Sequence, residues 1–255
     1  MHILVTNDDG IDSPGLHALA IAAKRLGRVS VLAPDRNWSV SGHARKLDQP
    51  LLVWNYPLLC GINASICDGT PSDCVSVAMM GMVQEPIDLV LSGINPHANI
   101  GHDVTYSGTV TAAMEAAIYG LPGFAISLGA NDGDAPVDFE PAADAAITII
   151  GQFPLSALNG RVFNINVPYH PISAIKGVAV TRLGVRHYHQ ELVCQGFVDG
   201  REQITVSGSP PGGELIPGTD YWALKEGLIS VTPISLDLTD YEAMPAIKAL
   251  SLAHM

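Results

Sequence analysis

Asn7-Asp8-Asp9-Gly10 sets two carboxylates side by side, directly after the apolar, β-branched run from His2 to Thr6. Adjacent carboxylates repel each other unless a cation sits beside or between them, so the pair suggests a metal site. Two further polar clusters follow strand-like runs: Asp35, Arg36, Asn37 and Ser39, then Asn95, Asn99, Asp103 and Ser107. Nearly all carry oxygen donors, which suit a hard ion such as Mg2+ or Mn2+, and no Cys or His cluster of the zinc type accompanies them. Alone, Asn7-Asp8-Asp9-Gly10 reads more readily as a polar turn. Ser107-Gly108-Thr109 opens a helix-like run, where free backbone N–H groups and the positive dipole end can hold a phosphate, although a serine there is also an ordinary cap. An acidic pair beside a helix amino terminus is more specific than either part: together they describe a pocket in which a phosphate oxygen bridges a cation and a helix end.

Other chemistries lose their usual support. The chain has no Gly-x-Gly-x-x-Gly after its first strand, no Gly-x4-Gly-Lys-Ser/Thr and no Gly-x-Ser-x-Gly. Asp8 and Asp9 are adjacent, whereas haloacid dehalogenase phosphatases place one residue between their aspartates, so an aspartyl-phosphate route is disfavoured.

The elements that must position these groups alternate. His2 to Thr6 reads as a buried strand. Ser13 can cap and Pro14 can open a helix carrying Leu16, Leu19, Ala20, Ala23 and Leu26 at helical spacing until Gly27. Arg28 to Ala33, Ile87 to Ser92 and Phe124 to Leu128 read as strands; Pro71 to about Val83, Ser107 to Tyr119 and Pro141 to Gln152 read as helices. Such alternation builds a parallel sheet covered on both faces, with ligands beyond the carboxyl ends of the strands, where the three polar clusters fall. From about Val167 to about Ser235 the character changes to short β-rich runs such as Gln203 to Val206, and Ser207 to Gly213 cannot be a helix interior, so the region reads as hairpins and long loops. A last helix is expected from Tyr241 or later to about Leu252, with Pro245 limiting its start.

At 255 residues and 26.9 kDa the chain fits one large domain, and 47% hydrophobic against 15% charged residues excludes disorder. Thirteen basic against 25 acidic residues give a formal charge of −12, which argues against duplex nucleic acid and anionic membranes as partners. No apolar run approaches a membrane span, and Met1 to Thr6 shows no secretory pattern, so a cytoplasmic location is expected. Cys60, Cys67, Cys74 and Cys194 form no Cys-x-x-Cys pair and read as reduced, buried thiols.

The chain resembles the survival protein E (SurE) nucleotidases. The resemblance rests on Ile3-Leu-Val-Thr-Asn-Asp-Asp-Gly10, Ala33-Pro-Asp-Arg-Asn37 with Ser39, Gly69-Thr-Pro-Ser-Asp-Cys-Val75, and Ser92-Gly-Ile-Asn95 with Asn99. It continues through Asp103-Val-Thr-Tyr-Ser-Gly-Thr-Val110, Ala112-Ala-Met-Glu115, Gly218-Thr-Asp220, Ser230-Val-Thr-Pro233 and Asp237-Leu-Thr239, nearly the whole chain in family order. It implies a Rossmann-like parallel sheet flanked by helices, with a β-rich hairpin extension in the C-terminal third: a single domain over 1–255, with about 186–230 used for assembly into a homodimer or homotetramer. It also implies a divalent-metal-dependent phosphomonoesterase acting on nucleoside monophosphates, a 5′-nucleotidase with one Mg2+ or Mn2+ per subunit; 3′-nucleotides and short polyphosphate are further substrates described for the family. By motif, Asp8, Asp9, Ser39 and Asn95 would be the metal ligands, with Asp8, Asp9 and Asn95 catalytic and Asn99, Ser107, Gly108 and Thr109 at the phosphate.

The family carries glycine two residues after the metal-binding Asn, where this chain has His97 preceded by Pro96. A histidine takes positive φ only at a cost, so a reshaped loop is expected. Two alternatives stay open: a nucleotide-binding module without turnover, and a different phosphatase or glycosyl-transferring α/β enzyme.

Overall fold

The structure is a computed structural model that describes residues 1–129, 137–154 and 157–250. The first strand, β1 (His2–Thr6), is buried at every position, as the centre of a doubly covered sheet requires. Helix α1 (Pro14–Ala23) starts at Pro14, where a missing N–H costs nothing; Ser13 stands at the N-cap, but its side chain makes no capping bond. Strand β2 (Arg28–Pro34) is followed by β3 (Val53–Leu59) and β4 (Ile62–Cys67), a hairpin the sequence patterns do not announce. Next come α2 (Pro71–Val77), β5 (Leu89–Asn95), α3 (Gly108–Ile118), β6 (Gly123–Leu128), α4 (Glu140–Ile150) and β7 (Val162–Val167). The remainder holds β8 (Val178–Val180), β9 (Arg186–Val198), β10 (Arg201–Gly213), α5 (Asp220–Lys225), β11 (Ile229–Ile234) and α6 (Met244–Lys248).

Nine strands form one sheet in the order β3-β4-β2-β1-β5-β6-β7-β11-β8. Every pairing from β4 to β7 is parallel; β3 and β11 join antiparallel. The chain steps from β1 to β2 on one side and later to β5 on the other, so the strand order reverses between β1 and β5. That switch point opens a crevice at the carboxyl ends of both strands.

Period-two alternation explains the two faces. Ile3 and Val5 point into a core shared with Leu16 and Leu19 of α1 and with Ile147 and Ile150 of α4. Leu4 points the other way, against Val75 of α2 and Ala112 and Ala116 of α3. Phe124 anchors one end, stacked on Phe163 at 5.0 Å and edge-on to Phe153 at 5.4 Å. Each fully buried side chain of this size contributes about 2 kcal/mol by removal from water.

Several elements differ from, or refine, the expectations. Helix α2 stops at Val77 and passes into a wider turn, Ala78–Met82, broken by Gly81 at φ 108°, so no regular helix reaches Val83. Ser207 to Gly213, read only as not a helix interior, belongs to β10, in a two-stranded antiparallel ribbon with β9 that fits the hairpin expectation. Register shifts at Gln203/Ile204 and Ser209/Gly212 absorb the irregular residues, and Gly208 lets the strands close where a Cβ would lie 1.9 Å from the His189 carbonyl oxygen. The 186–230 stretch also contains a helix, α5, capped by Thr219, whose hydroxyl accepts from Trp222 N–H. Helix α6 is only Met244–Lys248, opening around Pro245; the expected end at Leu252 lies outside the described residues. Of the cysteines, Cys67 and Cys74 are buried, whereas Cys60 and Cys194 are exposed; all four are free.

Candidate active site

Where β1 ends, the Asn7 side chain folds the loop back on itself: its Nδ2 donates to Gly10 O at 2.9 Å and its Oδ1 accepts from Gly10 N–H at 3.2 Å. This brace places Asp8 and Asp9 at the switch point. Asp8 is 3% exposed, and the Thr109 hydroxyl donates to its Oδ1 at 2.6 Å. Helix α3 begins against it so closely that a Cβ on Gly108 would stand 2.7 Å from the Asp8 Cβ and 3.0 Å from its Oδ2. Gly108 is therefore required by contact rather than by backbone conformation.

Burial pushes the Asp8 carboxyl up, against the hydrogen bonds offered by Thr109 and Gly108. Burial and then the charge of Asp8 push Asp9 up to about 6. Asp9 Oδ1 accepts from Asn37 Nδ2 at 3.2 Å, but Oδ2 is buried without a partner. A buried carboxylate oxygen without a protein partner, beside a second carboxylate, is a fit for a cation. No group of three or more His, Cys, Asp and Glu side chains able to hold a metal occurs among the described residues, so such a cation would rest on two carboxylates and neutral oxygens. That donor set suits a hard ion.

The other predicted residues converge on the same crevice. Trp38 N–H donates to Asp8 O at 2.7 Å, bringing the loop after β2 alongside, and Ser39 N–H is tied to Asn37 Oδ1 at 2.7 Å. At the end of β5, Asn95 Nδ2 donates to His97 O at 2.6 Å. His97 is exposed and does not take positive φ: among the described non-glycine residues only Val40, Cys60 and Asp199 do, so the expected cost at this position does not arise. Asn99 is buried, with Nδ2 on Ser127 Oγ at 2.9 Å, its N–H on Asn166 Oδ1 at 2.9 Å, and its carbonyl accepting from Asn164 and Asn166. Ser107 is the N-cap of α3, its Oγ accepting from Val110 N–H at 3.1 Å.

A cavity of about 700 Å3 unites Asp8, Ser39, Asn95, Asn99 and Ser107. Asp9, Gly108 and Thr109 are not among the residues lining this cavity; Thr109 is fully buried with its hydroxyl turned to Asp8. Arg36 points elsewhere, paired with Asp35 at 3.3 Å and stacked over Trp38. A second cavity of about 540 Å3, lined by Leu128, Val167, Tyr169 and Ile175 among others, holds none of the predicted residues.

Sequence reasoning does not reach the far wall, which Tyr188, Gln190 and Pro211 supply from the ribbon. The ribbon is tied to the site at Asp103, whose carboxylate accepts from Arg186 Nε at 3.0 Å and from the Tyr188 hydroxyl. Asp220 braces the same corner, accepting from Gly101 N–H and Gly184 N–H, each at 2.8 Å. Only the Gly218-Thr-Asp220 block hinted at this, because nothing local reveals how a distant ribbon folds back.

The fold and crevice define a doubly wound α/β protein with a polar cavity at the β1/β5 switch point. The family model "Survival protein SurE" matches residues 3–190. A protein named 5′-nucleotidase SurE from Chloroflexus aggregans is 43% identical over 250 residues, covering 97% of this chain and 98% of that one. Another of that name from Methylococcus capsulatus is 42% identical over 253 residues, covering 98% and 97%. The crystal structure of the SurE protein from Aquifex aeolicus superposes with a TM-score of 0.82 at 39% identity, over 98% of this chain and 99% of that one. The chain belongs to the SurE family.

Proposed function

We propose that this chain is a 5′-nucleotidase that hydrolyses nucleoside monophosphates to nucleoside and inorganic phosphate with a divalent cation held by Asp8, Asp9, Ser39 and Asn95. The observation that carries it is the Asp8-Asp9 pair: Asp8 is buried against the amino terminus of α3, and beside it one oxygen of Asp9 is buried without a partner. The names of its relatives support the reaction.

When bound, the cation supplies Lewis-acid polarisation of the phosphoryl group. The chain's own groups do the rest. Thr109 fixes the rotation of the Asp8 carboxylate. Asn95 commits its Nδ2 to His97 O, leaving Oδ1 as an electron-pair donor. Ser107 accepts from Val110 N–H, which leaves its hydroxyl hydrogen free for a phosphate oxygen, and the positive dipole end of α3 favours the same anion. Asn99, held at its N–H, its carbonyl and its amide, keeps a fixed polar side chain at the cavity wall. These short-range donors offset the repulsion between an anionic substrate and a protein of charge −12. The ion we assign is one Mg2+ or Mn2+ per subunit.

The whole of 1–255 acts as one domain in this reading, with the ribbon as an assembly arm. Leu192 is 73% exposed, Phe197 72% and, beyond β11, Leu238 90%; a second copy covering them would form the homodimer or homotetramer. Four free thiols suit a reducing, cytoplasmic location, and no helix among the described residues is long and apolar enough to cross a membrane. The substrate claim is tested by phosphate release from a panel of nucleoside 5′- and 3′-monophosphates with Mn2+. Turnover of 5′-monophosphates supports it; release from none of the panel by folded, metal-loaded protein would favour a binding module.

A further inference from the structure

Two sequence blocks take no direct part in the site: Thr70-Pro71-Ser72-Asp73 and Ala112-Ala113-Met114-Glu115. Each delivers a carboxylate into the interior. Asp73 is 0% exposed and Glu115 3%, and a buried carboxylate is costly unless it is fully partnered. Part of Asp73 is explained by the start of α2, where it bonds Thr70 N–H at 3.0 Å in a capping box. Glu115 lies on α3 with Ala112 and Ala116 packed in the core nearby, and helix packing alone gives no reason for a charge there.

The partners of both come from the segment between β2 and β3 that contains Ser39. That segment forms neither helix nor strand, so no ladder positions its backbone. Instead it is pinned residue by residue onto α2 and α3. Gly42 O accepts from the Thr111 hydroxyl at 2.8 Å, and Ala44 O accepts from the Thr70 hydroxyl at 2.7 Å. His43 Nε2 meets Glu115 Oε2 at 2.8 Å, and Arg45 Nη1 meets Glu115 Oε1 at 3.1 Å. Arg45 Nε reaches Asp73 Oδ1 at 3.4 Å, and Lys46 N–H donates to Asp73 Oδ2 at 3.0 Å. On the other side of Ser39, Trp38 N–H is fixed to Asp8 O at 2.7 Å.

Between those anchors Val40 holds φ at 62°, a backbone state a β-branched residue keeps only when its surroundings impose it. Ser39 thus faces the Asp8 cavity on a short span stretched between the acidic loop and a buried ionic clamp. We propose that Glu115 and Asp73, acting through Arg45 and His43, are positioning residues that set Ser39 for the cation. Neither touches the cavity: they act on the Ser39 span through its flank. The inference rests on the metal assignment made above.

The test is calorimetric titration of metal-free protein with Mn2+, alongside thermal unfolding, for wild type, Glu115→Gln, Arg45→Met and Arg45→Lys. Loss of a supporting contact of this kind typically weakens metal binding about 10- to 100-fold. Glu115→Gln and Arg45→Met are expected to raise the Mn2+ Kd about tenfold, and Arg45→Lys, which keeps a charge at Glu115, to recover most of it. Arg45 has a side chain 27% exposed and lies on the loop, so Arg45→Met reports even if Glu115→Gln fails to fold. A lowered unfolding temperature with a Kd within twofold of wild type would overturn the inference and leave the metal site standing. Wild-type protein that takes up no Mn2+ would overturn the metal assignment and this inference with it.

Discussion

Asp9 carries a charge that the metal-free protein holds at a cost. Its carboxyl is pushed up from 3.8 to about 6 in the fold, so the folded state binds a proton more tightly than the unfolded chain. Stability of the metal-free protein therefore falls as pH rises through that window, and the penalty stands in full above it. Asp9→Asn is expected to stabilise metal-free protein at pH 7 by about 1 kcal/mol after allowance for solvent screening, roughly 2–4 °C in Tm. It should also abolish the further rise that Mn2+ gives to wild type; scanning calorimetry with and without Mn2+ measures both. In the same way Mn2+ affinity should weaken as pH drops below about 6, where protons compete for Asp9. Gly108→Ala would drive a methyl into Asp8, and Thr109→Val would remove its hydrogen bond. Each is expected to lower kcat/KM about 10- to 100-fold, read from steady-state phosphate release. The acidic pair is legible in the sequence because the two charges are adjacent. The contact of Thr109 with Asp8 is not, because 101 residues separate them and the motif suggests only nearness to phosphate.

At the scale of elements, legibility follows burial pattern. Strand β1 and helices α1 and α3 announce themselves through apolar runs, helical spacing and stop signals at Gly27 and Gly120. The β3–β4 hairpin is silent because β3 is an edge strand, partly exposed and broken by a register shift between Tyr56 and Leu59. The ribbon reads as a hairpin region, but the length of its strands is hidden, because glycines and prolines that would interrupt a buried sheet are tolerated in an exposed two-stranded arm. Its link to the site also makes it testable. Asp103→Asn weakens the hold on Arg186 and Tyr188, loosening the wall built by Tyr188 and Gln190. KM for a nucleoside monophosphate is expected to rise several-fold, with a smaller change for a small aryl phosphate. Equal changes for both substrates would separate the ribbon from nucleoside recognition.

For the molecule as a whole, a charge of −12 and an apolar arm pull in different directions: the charge keeps copies apart, while exposed Leu192 and Phe197 favour contact. Leu192→Glu with Phe197→Glu is expected to shift the protein to monomer in sedimentation while the sheet remains folded, since neither residue belongs to the core. The central claim is that the Asp8-Asp9 pair holds a cation for phosphate release. Its most direct test compares wild type and Asp9→Ala, each with Mn2+ and then with excess EDTA, on a nucleoside 5′-monophosphate. Release is expected from wild type with Mn2+, to vanish on chelation, to return when Mn2+ is restored, and to be absent from Asp9→Ala throughout. Undiminished release from Asp9→Ala, or from wild type in EDTA, would contradict it.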